Sequence, residues 1–234
     1  MRQALVLVGG KGTRLGAITA ATPKPLLPLG NGVFLDYLLT LFAKQGVAEF
    51  ILLSGHFADQ VVARYDGAVI AGARVSVVCE PEPAGTGGAL RYAADRLDPA
   101  FLMMNGDSLF EVDHRRLEAA LGQNDVGALA LRRVPDGARY GRVELENGRV
   151  SAFREKDPGF TGEALISAGV YALRRRVLGL IGEGPCSIET DVFPRLAVHG
   201  QLAGLESEGY FIDIGLPDTL DQARREIPAR FGSL

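Results

Sequence analysis

An unbroken apolar run, Gln3 to Val8, leads directly into a glycine-rich loop. An apolar run bounded by glycines is typical of a strand buried on both faces, as in a parallel sheet, rather than of an edge strand. Segments with strand and helix patterns then alternate: strands at Glu49–Leu53, Arg74–Cys79 and Phe101–Asn105, and helices at Phe34–Gln45, Ala58–Tyr65 and Gly87–Arg96. This alternation predicts an α/β fold with a mostly parallel sheet flanked by helices.

The second half of the chain has a different pattern. After a predicted helix from the N-cap Asp113 to about Leu121, short β-like segments with turn signals follow: Val126–Arg133, Gly141–Leu145, Arg149–Arg154, Leu165–Leu173 and Tyr210–Ile214. Asn147-Gly148 is typical of a hairpin turn. Further helices are expected near 175–181, near 190–198 and after Pro217. We find no linker or repeat, so we predict one domain over residues 1–234, with two lobes that divide near residue 112.

The charge of the chain is distributed unevenly. The net charge of −3 excludes a protein that coats nucleic acid. The first acid is Asp36, and it is preceded by four cations, Arg2, Lys11, Arg14 and Lys24. A positive segment in an acidic protein suggests a small anionic ligand, with chance scatter of surface charge as the alternative.

The chain shows no signal for a membrane or for an oxidising compartment. No apolar run approaches the roughly eighteen residues of a spanning helix, and Ala4–Val8 is too short for the core of a signal peptide. Cys79 and Cys186 have neither metal nor redox spacing, which predicts two buried thiols. We therefore expect a cytoplasmic protein without a membrane partner.

The loop after the first strand begins Gly9-Gly10-Lys11-Gly12-Thr13-Arg14. Glycines let backbone N–H groups approach phosphate closely. It is not a Walker A loop, because the lysine precedes the threonine by two positions. A Rossmann dinucleotide site is an alternative, but that motif requires a small residue where Leu15 stands and an acid at the end of the second strand, whereas Asp36 begins a helix. A purely structural glycine turn is a further alternative.

Lys24 lies between two prolines in the segment Thr22-Pro23-Lys24-Pro25. The fixed φ angles of proline stiffen the chain, so this segment can hold an ammonium group in one place. The alternative is a solvated lysine in a proline-rich surface loop.

These two segments together, Gly9 to Leu15 and Pro23-Lys24-Pro25, resemble the signature of the sugar-phosphate nucleotidylyltransferases, which join a nucleoside triphosphate to a sugar 1-phosphate. Further blocks extend the resemblance from Leu7 to about Asp218: Glu80 to Gly88, Asn105-Gly106-Asp107, Phe153 to Lys156, Ser167 to Tyr171 and Phe211 to Gly215. The resemblance implies a Rossmann-like mixed sheet of the glycosyltransferase-A type. It also implies a nucleotide-binding lobe of about 1–112 and a sugar-binding lobe of about 113–234.

The resemblance also implies roles for the charged residues. Arg14 neutralises the leaving pyrophosphate, Lys24 bridges the reacting phosphates, and Asp107 acts with them in catalysis. Asp107 and Asp213, each at the end of a predicted strand, hold Mg²⁺, a cofactor that uses few protein ligands. An aspartate in either place is alternatively a turn residue or a helix cap. The triphosphate is wrapped by the loop residues Gly9, Gly10, Gly12, Thr13 and Arg14.

On the sugar side, the resemblance implies that Glu155 and Lys156 meet the sugar hydroxyls and the sugar phosphate. The sugar also lies beside Tyr140, Gly141, Ser167 and Gly169. Ser167 departs from the family pattern, which has asparagine there, and a hydroxyl is shorter than an amide and offers fewer hydrogen bonds. The segment Ser187 to Asp191 is interpreted as a structural helix cap.

The choice of base rests on Glu80 and on Gly85, Thr86 and Gly87 after it. A carboxylate is an acceptor and takes both the N1–H and the N2 amino protons of guanine, whereas uracil is better met by an amide. Glu80 therefore favours GTP, and the alternative is that it binds backbone.

Among subfamilies, the blocks around Gly9, Glu80 and Asp213 most resemble the heptose 1-phosphate guanylyltransferases of bacterial surface-polysaccharide synthesis. The expected partners are GTP and a sugar 1-phosphate, and a homo-oligomer is left open. The alternatives are a mannose 1-phosphate guanylyltransferase, a UTP-dependent amino-sugar 1-phosphate uridylyltransferase, a non-catalytic nucleotide-sugar sensor and a Rossmann oxidoreductase.

Overall fold

The computed structural model describes residues 1–232, which form fourteen strands and a set of mostly short helices. The strands are β1 Gln3–Leu7, β2 Pro28–Leu29, β3 Gly32–Val33, β4 Glu49–Ser54, β5 Val69–Ile70, β6 Ala73–Cys79, β7 Ala100–Asn105, β8 Ser108–Phe110, β9 Gly127–Val134, β10 Arg142–Glu146, β11 Arg149–Arg154, β12 Ala164–Arg174, β13 Leu202–Glu206 and β14 Phe211–Asp213. The predicted strands are all present among them.

The α-helices are α1 Phe34–Lys44, α2 Ala58–Tyr65, α3 Gly85–Gly88, α4 His114–Ala119, α5 Phe193–Val198 and α6 Pro217–Phe231. Tighter 3₁₀ turns occupy Thr13–Thr19, Lys24–Leu26, Ala89–Arg96 and Arg175–Leu180, and a π turn occupies Ile188–Val192. The helix predicted over Gly87–Arg96 is thus a single α turn followed by a 3₁₀ helix.

The chain forms two compact units. The unit that we call the N-terminal unit comprises Arg2–Pro83, Met104–Leu109 and, among the described residues, 212–232. The central unit comprises Met1, Ala84–Met103 and Phe110–Phe211. The predicted lobes with one division near residue 112 stay a prediction.

The sheet of the N-terminal unit is built on β1. β1 runs parallel to β4 and β4 parallel to β6, while the short β5 closes the edge antiparallel to β6. Leu5 and Val6 in β1 and Ile51 and Leu52 in β4 are fully buried. This burial confirms the prediction that the apolar run before the glycine loop is a parallel strand.

The sheet of the central unit is mixed. Its strand order is β10-β11-β13-β9-β12, with β12 antiparallel and β13 parallel to β9. The β10–β11 hairpin turns at Asn147-Gly148, where both φ values are positive, as the sequence predicted. The parallel strands of the N-terminal unit and the mixed pairing in the central unit together confirm an α/β fold with a mixed sheet.

Cys186 is buried, as predicted, but Cys79 is exposed. The prediction of two buried thiols is therefore wrong for Cys79, because that residue ends β6 where the strand enters a surface loop. Among residues 1–232, no helix has both the length and the apolar character needed to cross a membrane.

Candidate active site

The carboxyl end of β1 lies against the segment that carries Asp107. The backbone N–H of Gly106 donates to the carbonyl oxygen of Leu7 at 2.9 Å. A Cβ atom at Gly106 would lie 2.6 Å from that same oxygen, closer than any real contact. Only glycine permits this approach, so Gly106 fixes Asp107 beside the start of the glycine loop.

Lys24 lies in a tight turn. The backbone carbonyl of Pro23 accepts from the N–H of Leu26 at 2.8 Å, and the backbone carbonyl of Lys24 accepts from the N–H of Leu27 at 3.1 Å. Only 7% of Lys24 is exposed, and its ammonium donates to Oδ2 of Asp107 at 2.8 Å. The side chain of Asp107 is 38% exposed, so the carboxylate faces both the buried cation and solvent.

Asp213 is brought next to Asp107 by backbone pairing. β8 and β14 form a two-stranded sheet, and the N–H of Ile214 donates to the carbonyl of Asp107 at 2.9 Å. Oδ1 of Asp213 accepts from the N–H of Gly215 at 3.0 Å. The two carboxylates therefore lie at neighbouring ends of paired strands, since Asp107 directly precedes β8 and Asp213 ends β14.

The side chain of Arg14 extends to the segment that carries Asp213 and Gly215. A Cβ atom at Gly215 would lie 2.8 Å from Oδ1 of Asp213 and 3.6 Å from a terminal nitrogen of Arg14. The structure thus gathers two cations, Arg14 and Lys24, around Asp107 and Asp213. We call these four residues the charge cluster.

The charge cluster contains two carboxylates that could hold a metal ion. Within the described part of the chain, no group of three or more His, Cys, Asp or Glu side chains could hold a metal. A magnesium ion needs only one or two carboxylates, because it completes its octahedron with water and substrate phosphates. Asp107 and Asp213 match that requirement.

Glu80 packs against the glycine loop. A Cβ atom at Gly9 would lie 2.7 Å from Oε1 of Glu80 and 2.8 Å from the backbone nitrogen of Gly55. The N–H of Glu80 donates to the carbonyl of Ser54 at 2.7 Å, which fixes the start of this segment at the end of β4. A Cβ atom at Gly10, by contrast, would meet nothing within 4 Å.

Gly85, Thr86 and Gly87 lie in the central unit, where they bind the segment around Cys186. The N–H of Gly87 donates to the Cys186 carbonyl at 2.8 Å, and the hydroxyl of Thr86 accepts from the N–H of Ile188 at 3.0 Å. Burial, followed by the negative charge of Asp191, raises the pKa of the Cys186 thiol. These contacts explain why the segment is rich in glycine: a Cβ atom at Gly85 would lie 2.5 Å from the Cys186 carbonyl oxygen.

Ser167 and Gly169 lie at a bulge in β12. The pairing with β9 shifts register between Ser167 and Tyr171, and Gly169 within the shift has a φ of 75°. The Ser167 hydroxyl donates to the Tyr171 hydroxyl at 3.3 Å, which in turn donates to Glu189. Sequence reasoning treated Glu189 as part of a structural cap and missed this link. Ser187 does cap its turn, since its hydroxyl accepts from the N–H of Thr190.

The remaining predicted sugar residues also belong to the central unit. The ring of Tyr140 packs edge-on against Phe211, at 6.4 Å between centroids. Gly141 directly precedes β10, and Glu155 and Lys156 follow β11 as exposed residues. The structure thus divides the predicted residues between its two units: the charge cluster, the glycine loop and Glu80 in one, and the sugar residues with Gly85 to Gly87 in the other.

Several known proteins are similar to this chain along nearly its whole length. D-glycero-alpha-D-manno-heptose 1-phosphate guanylyltransferase from Aneurinibacillus thermoaerophilus is 34% identical over 96% of this chain and 98% of that enzyme. HddC from Yersinia pseudotuberculosis superposes with a TM-score of 0.86 at 28% identity, over 97% of this chain and 99% of HddC. A crystal structure of HddC complexed with GMP-PN gives a TM-score of 0.84.

A second group of relatives is longer. Mannose-1-phosphate guanyltransferase beta-B from Xenopus laevis is 34% identical over 92% of this chain, which spans 61% of the length of that protein. The nucleotidyl transferase family model matches residues 3–230. Since that match covers almost the whole sequence, the chain belongs to the nucleotidyl transferase family.

Proposed function

We propose that this protein transfers the guanylyl group of GTP to D-glycero-α-D-manno-heptose 1-phosphate, giving GDP-heptose and pyrophosphate for surface-polysaccharide synthesis. The observation that carries the proposal is the charge cluster, in which Lys24 contacts Asp107 and Arg14 lies beside Asp213. The full-length similarity to the Aneurinibacillus thermoaerophilus heptose 1-phosphate guanylyltransferase supports the choice of substrates. We assign the reaction to the cytoplasm, whose reducing conditions suit the two free thiols.

The reaction exchanges one phosphorus–oxygen bond for another. An oxygen of the sugar phosphate bonds to the α-phosphorus of GTP while the bond from that phosphorus to pyrophosphate breaks. A sugar phosphate is already ionised near neutral pH, so no base has to remove a proton. The main obstacle is repulsion between two polyanions, which positioned cations reduce.

The two cations of the cluster have separate tasks in this proposal. Lys24, held by its proline-flanked turn, bridges the reacting phosphates. Arg14, next to Gly215, neutralises the charge that accumulates on the leaving pyrophosphate. The backbone of Gly9, Gly10, Gly12 and Thr13 wraps the triphosphate.

Asp107 and Asp213 would hold a magnesium ion in this proposal. Bound there, such an ion would supply a hard dication to neutralise phosphate oxygens. Asp107 also accepts from the ammonium of Lys24, so the same carboxylate helps to position the lysine.

Glu80 selects the base in this proposal. Its carboxylate lies against Gly9, at the beginning of the loop assigned to the triphosphate. Guanine presents two adjacent donors, N1–H and the N2 amino group, to an acceptor of this kind. In the central unit, Gly85, Thr86 and Gly87 are assigned to the nucleotide as well.

The sugar phosphate is assigned to the central unit. Glu155 and Lys156 are exposed at the end of β11, where they are free to meet hydroxyls and a phosphate. Ser167 and Gly169, at the bulge of β12, and Tyr140 with Gly141, before β10, provide the remaining contacts.

Mannose 1-phosphate is the second candidate substrate. It is favoured by the similarity to mannose-1-phosphate guanyltransferases such as the Xenopus laevis protein. Transfer from GTP is common to both candidates, so the two differ only in the sugar.

The experiment is a pyrophosphate-release assay with Mg²⁺. It tests GTP, UTP, CTP and ATP against heptose 1-phosphate and mannose 1-phosphate in parallel. The expected result is release confined to GTP with heptose 1-phosphate. Release with GTP and mannose 1-phosphate alone would establish the second candidate, and release confined to UTP would overturn guanylyl transfer.

A further inference from the structure

The loop that carries Arg14 is bent at two glycines. Gly12 has a φ of 63°, and Gly16 has φ 55° and ψ −123°, which kinks the turn Thr13–Thr19 in its middle. These backbone angles are readily accessible only to glycine. A loop with these glycines needs interactions that restrict its backbone, because glycine readily adopts other conformations when such interactions are lost.

One side chain closes both bends. The hydroxyl of Thr19 donates to the carbonyl oxygen of Gly12 at 3.0 Å, with the carbonyl of Gly16 as a second acceptor at 3.3 Å. A single hydroxyl proton thus connects the beginning, the middle and the end of the loop. Thr19 is only 5% exposed, so solvent competes little for this proton.

The methyl group of Thr19 fills the space beneath Gly12. A Cβ atom built at Gly12 would lie 3.1 Å from Cγ2 of Thr19. Threonine therefore supplies a hydrogen bond and a packing surface at the same point. Valine preserves the shape and removes only the hydroxyl, which makes it the informative replacement.

The loop is also bonded from outside, by His56, which lies just before α2, and by Gln60 in the first turn of α2. The N–H of His56 donates to the carbonyl of Gly9 at 3.3 Å, and Nε2 of Gln60 donates to that of Ala21 at 2.9 Å. These two bonds lie on either side of the internal bonds made by Thr19. Both ends of the loop are thus attached to the start of α2 or to the residues just before it.

We propose that Thr19 is a positioning residue for the nucleotide, whose hydroxyl holds the Gly12–Gly16 loop ready to receive the triphosphate. This inference rests on the proposed function, because it takes the loop to be the triphosphate site. Thr19 itself touches no reacting atom. It acts by reducing the ordering that the loop and Arg14 must undergo when the nucleotide binds.

The test compares Thr19→Val with Thr19→Ser, which keeps the hydroxyl, and with Thr40→Val, which makes the same change on α1 outside the loop. The dissociation constant of GTP is measured by calorimetry without sugar phosphate, and KM for each substrate and kcat are measured by pyrophosphate release. The net contribution of a single hydrogen bond corresponds to a change of about 3- to 10-fold in a dissociation constant.

We expect Thr19→Val to raise the dissociation constant and the KM of GTP by about 3- to 10-fold, with KM for the sugar phosphate unchanged. Thr19→Ser and Thr40→Val should stay within about 2-fold of wild type. The proposal is overturned if Thr19→Val binds GTP like wild type, if Thr19→Ser is equally impaired, or if both KM values rise together.

A second variant covers the case in which Thr19→Val does not fold. Gln60→Ala removes the outer tie to Ala21 from a half-buried position and should raise the KM of GTP selectively; an unchanged value would then overturn the proposal. Failure of the proposed function is a separate result. Wild-type protein that binds GTP without turnover would contradict the transferase reaction, while the GTP dissociation constants of the variants would still decide the role of Thr19.

Discussion

The ammonium of Lys24 donates to Oδ2 of Asp107 at 2.8 Å, although the two residues are 83 positions apart in the chain. The lysine is buried and the aspartate is partly exposed. A buried cation requires a partner, so Asp107 stabilises Lys24 until another anion replaces it. In the proposed reaction that anion is a phosphate group.

The first prediction concerns the two carboxylates of the charge cluster. Asp213→Ala and Asp107→Asn should each lower turnover by at least about 100-fold, because each removes a carboxylate that would hold the magnesium ion neutralising the phosphates. Asparagine at 107 keeps an acceptor oxygen for Lys24, which limits the loss of stability. Pyrophosphate release measures the effect, and EDTA should abolish release by the wild type. Asp221→Ala, at an exposed ion pair with Arg224, is the control, and wild-type rates in both cluster variants would exclude the magnesium assignment.

The second prediction concerns the choice of base. Glu80→Gln should lower the ratio of kcat/KM for GTP over that for UTP by about 10-fold or more, because an amide cannot accept both guanine protons as a carboxylate does. Glu82→Gln changes a neighbouring exposed acid in the same way and should leave the ratio unchanged. An unaltered ratio in Glu80→Gln would remove this residue from base recognition.

The third prediction compares two adjacent glycines. Gly9→Ala should lower the free energy of unfolding by about 1–3 kcal/mol, because the new methyl group would meet the Glu80 carboxylate and the Gly55 backbone. Gly10→Ala meets nothing within 4 Å and should have almost no effect on stability. Urea unfolding measures both variants. Equal stability of the two would contradict the close packing of Glu80 on Gly9.

The fourth prediction concerns a buried carboxylate in the central unit. Asp125 is fully buried, accepts from the N–H of Gly122 at 2.6 Å and forms an ion pair with Arg149. Arg149→Ala leaves this charge without its cation and should cost about 3 kcal/mol of unfolding free energy. Arg133→Ala breaks an exposed pair with Glu206 and should cost less than about 1 kcal/mol. Similar losses of unfolding free energy in the two variants would show that burial of the carboxylate does not determine how much an ion pair contributes to stability.

The fifth prediction concerns thiol chemistry. Cys79 is exposed, whereas Cys186 is 8% exposed and has a raised pKa, so at pH 8 a disulfide reagent should modify Cys79 first. Because its pKa is raised, the Cys186 thiol stabilises the folded protein only while it is neutral. This contribution is complete below the ordinary thiol pKa and is lost as the pH rises through the raised pKa. Reactivity of Cys186 should therefore increase at higher pH. Peptide mapping distinguishes the two sites, and unfolded protein, in which both thiols should react alike, is the control.

The sequence predicted most of the elements near the charge cluster, but it did not reveal β13. That strand, Leu202–Glu206, contains a glycine at its centre and is too short for a clear pattern. It forms because β9 and β11 lie on either side of it and supply its hydrogen bonds. The sequence also gave no sign of Thr19, since a threonine near the end of a loop has many structural uses.

Local patterns determine which segments are strands, where the glycine loop begins and where a lysine is held between prolines, because each of these depends on neighbours in the chain. Only the tertiary structure decided that Lys24 contacts Asp107, that Glu80 packs on Gly9 and that Asp213 lies next to Asp107. These contacts depend on the order of the strands and on how closely their backbones approach. The spacing of residues along the chain does not determine either property.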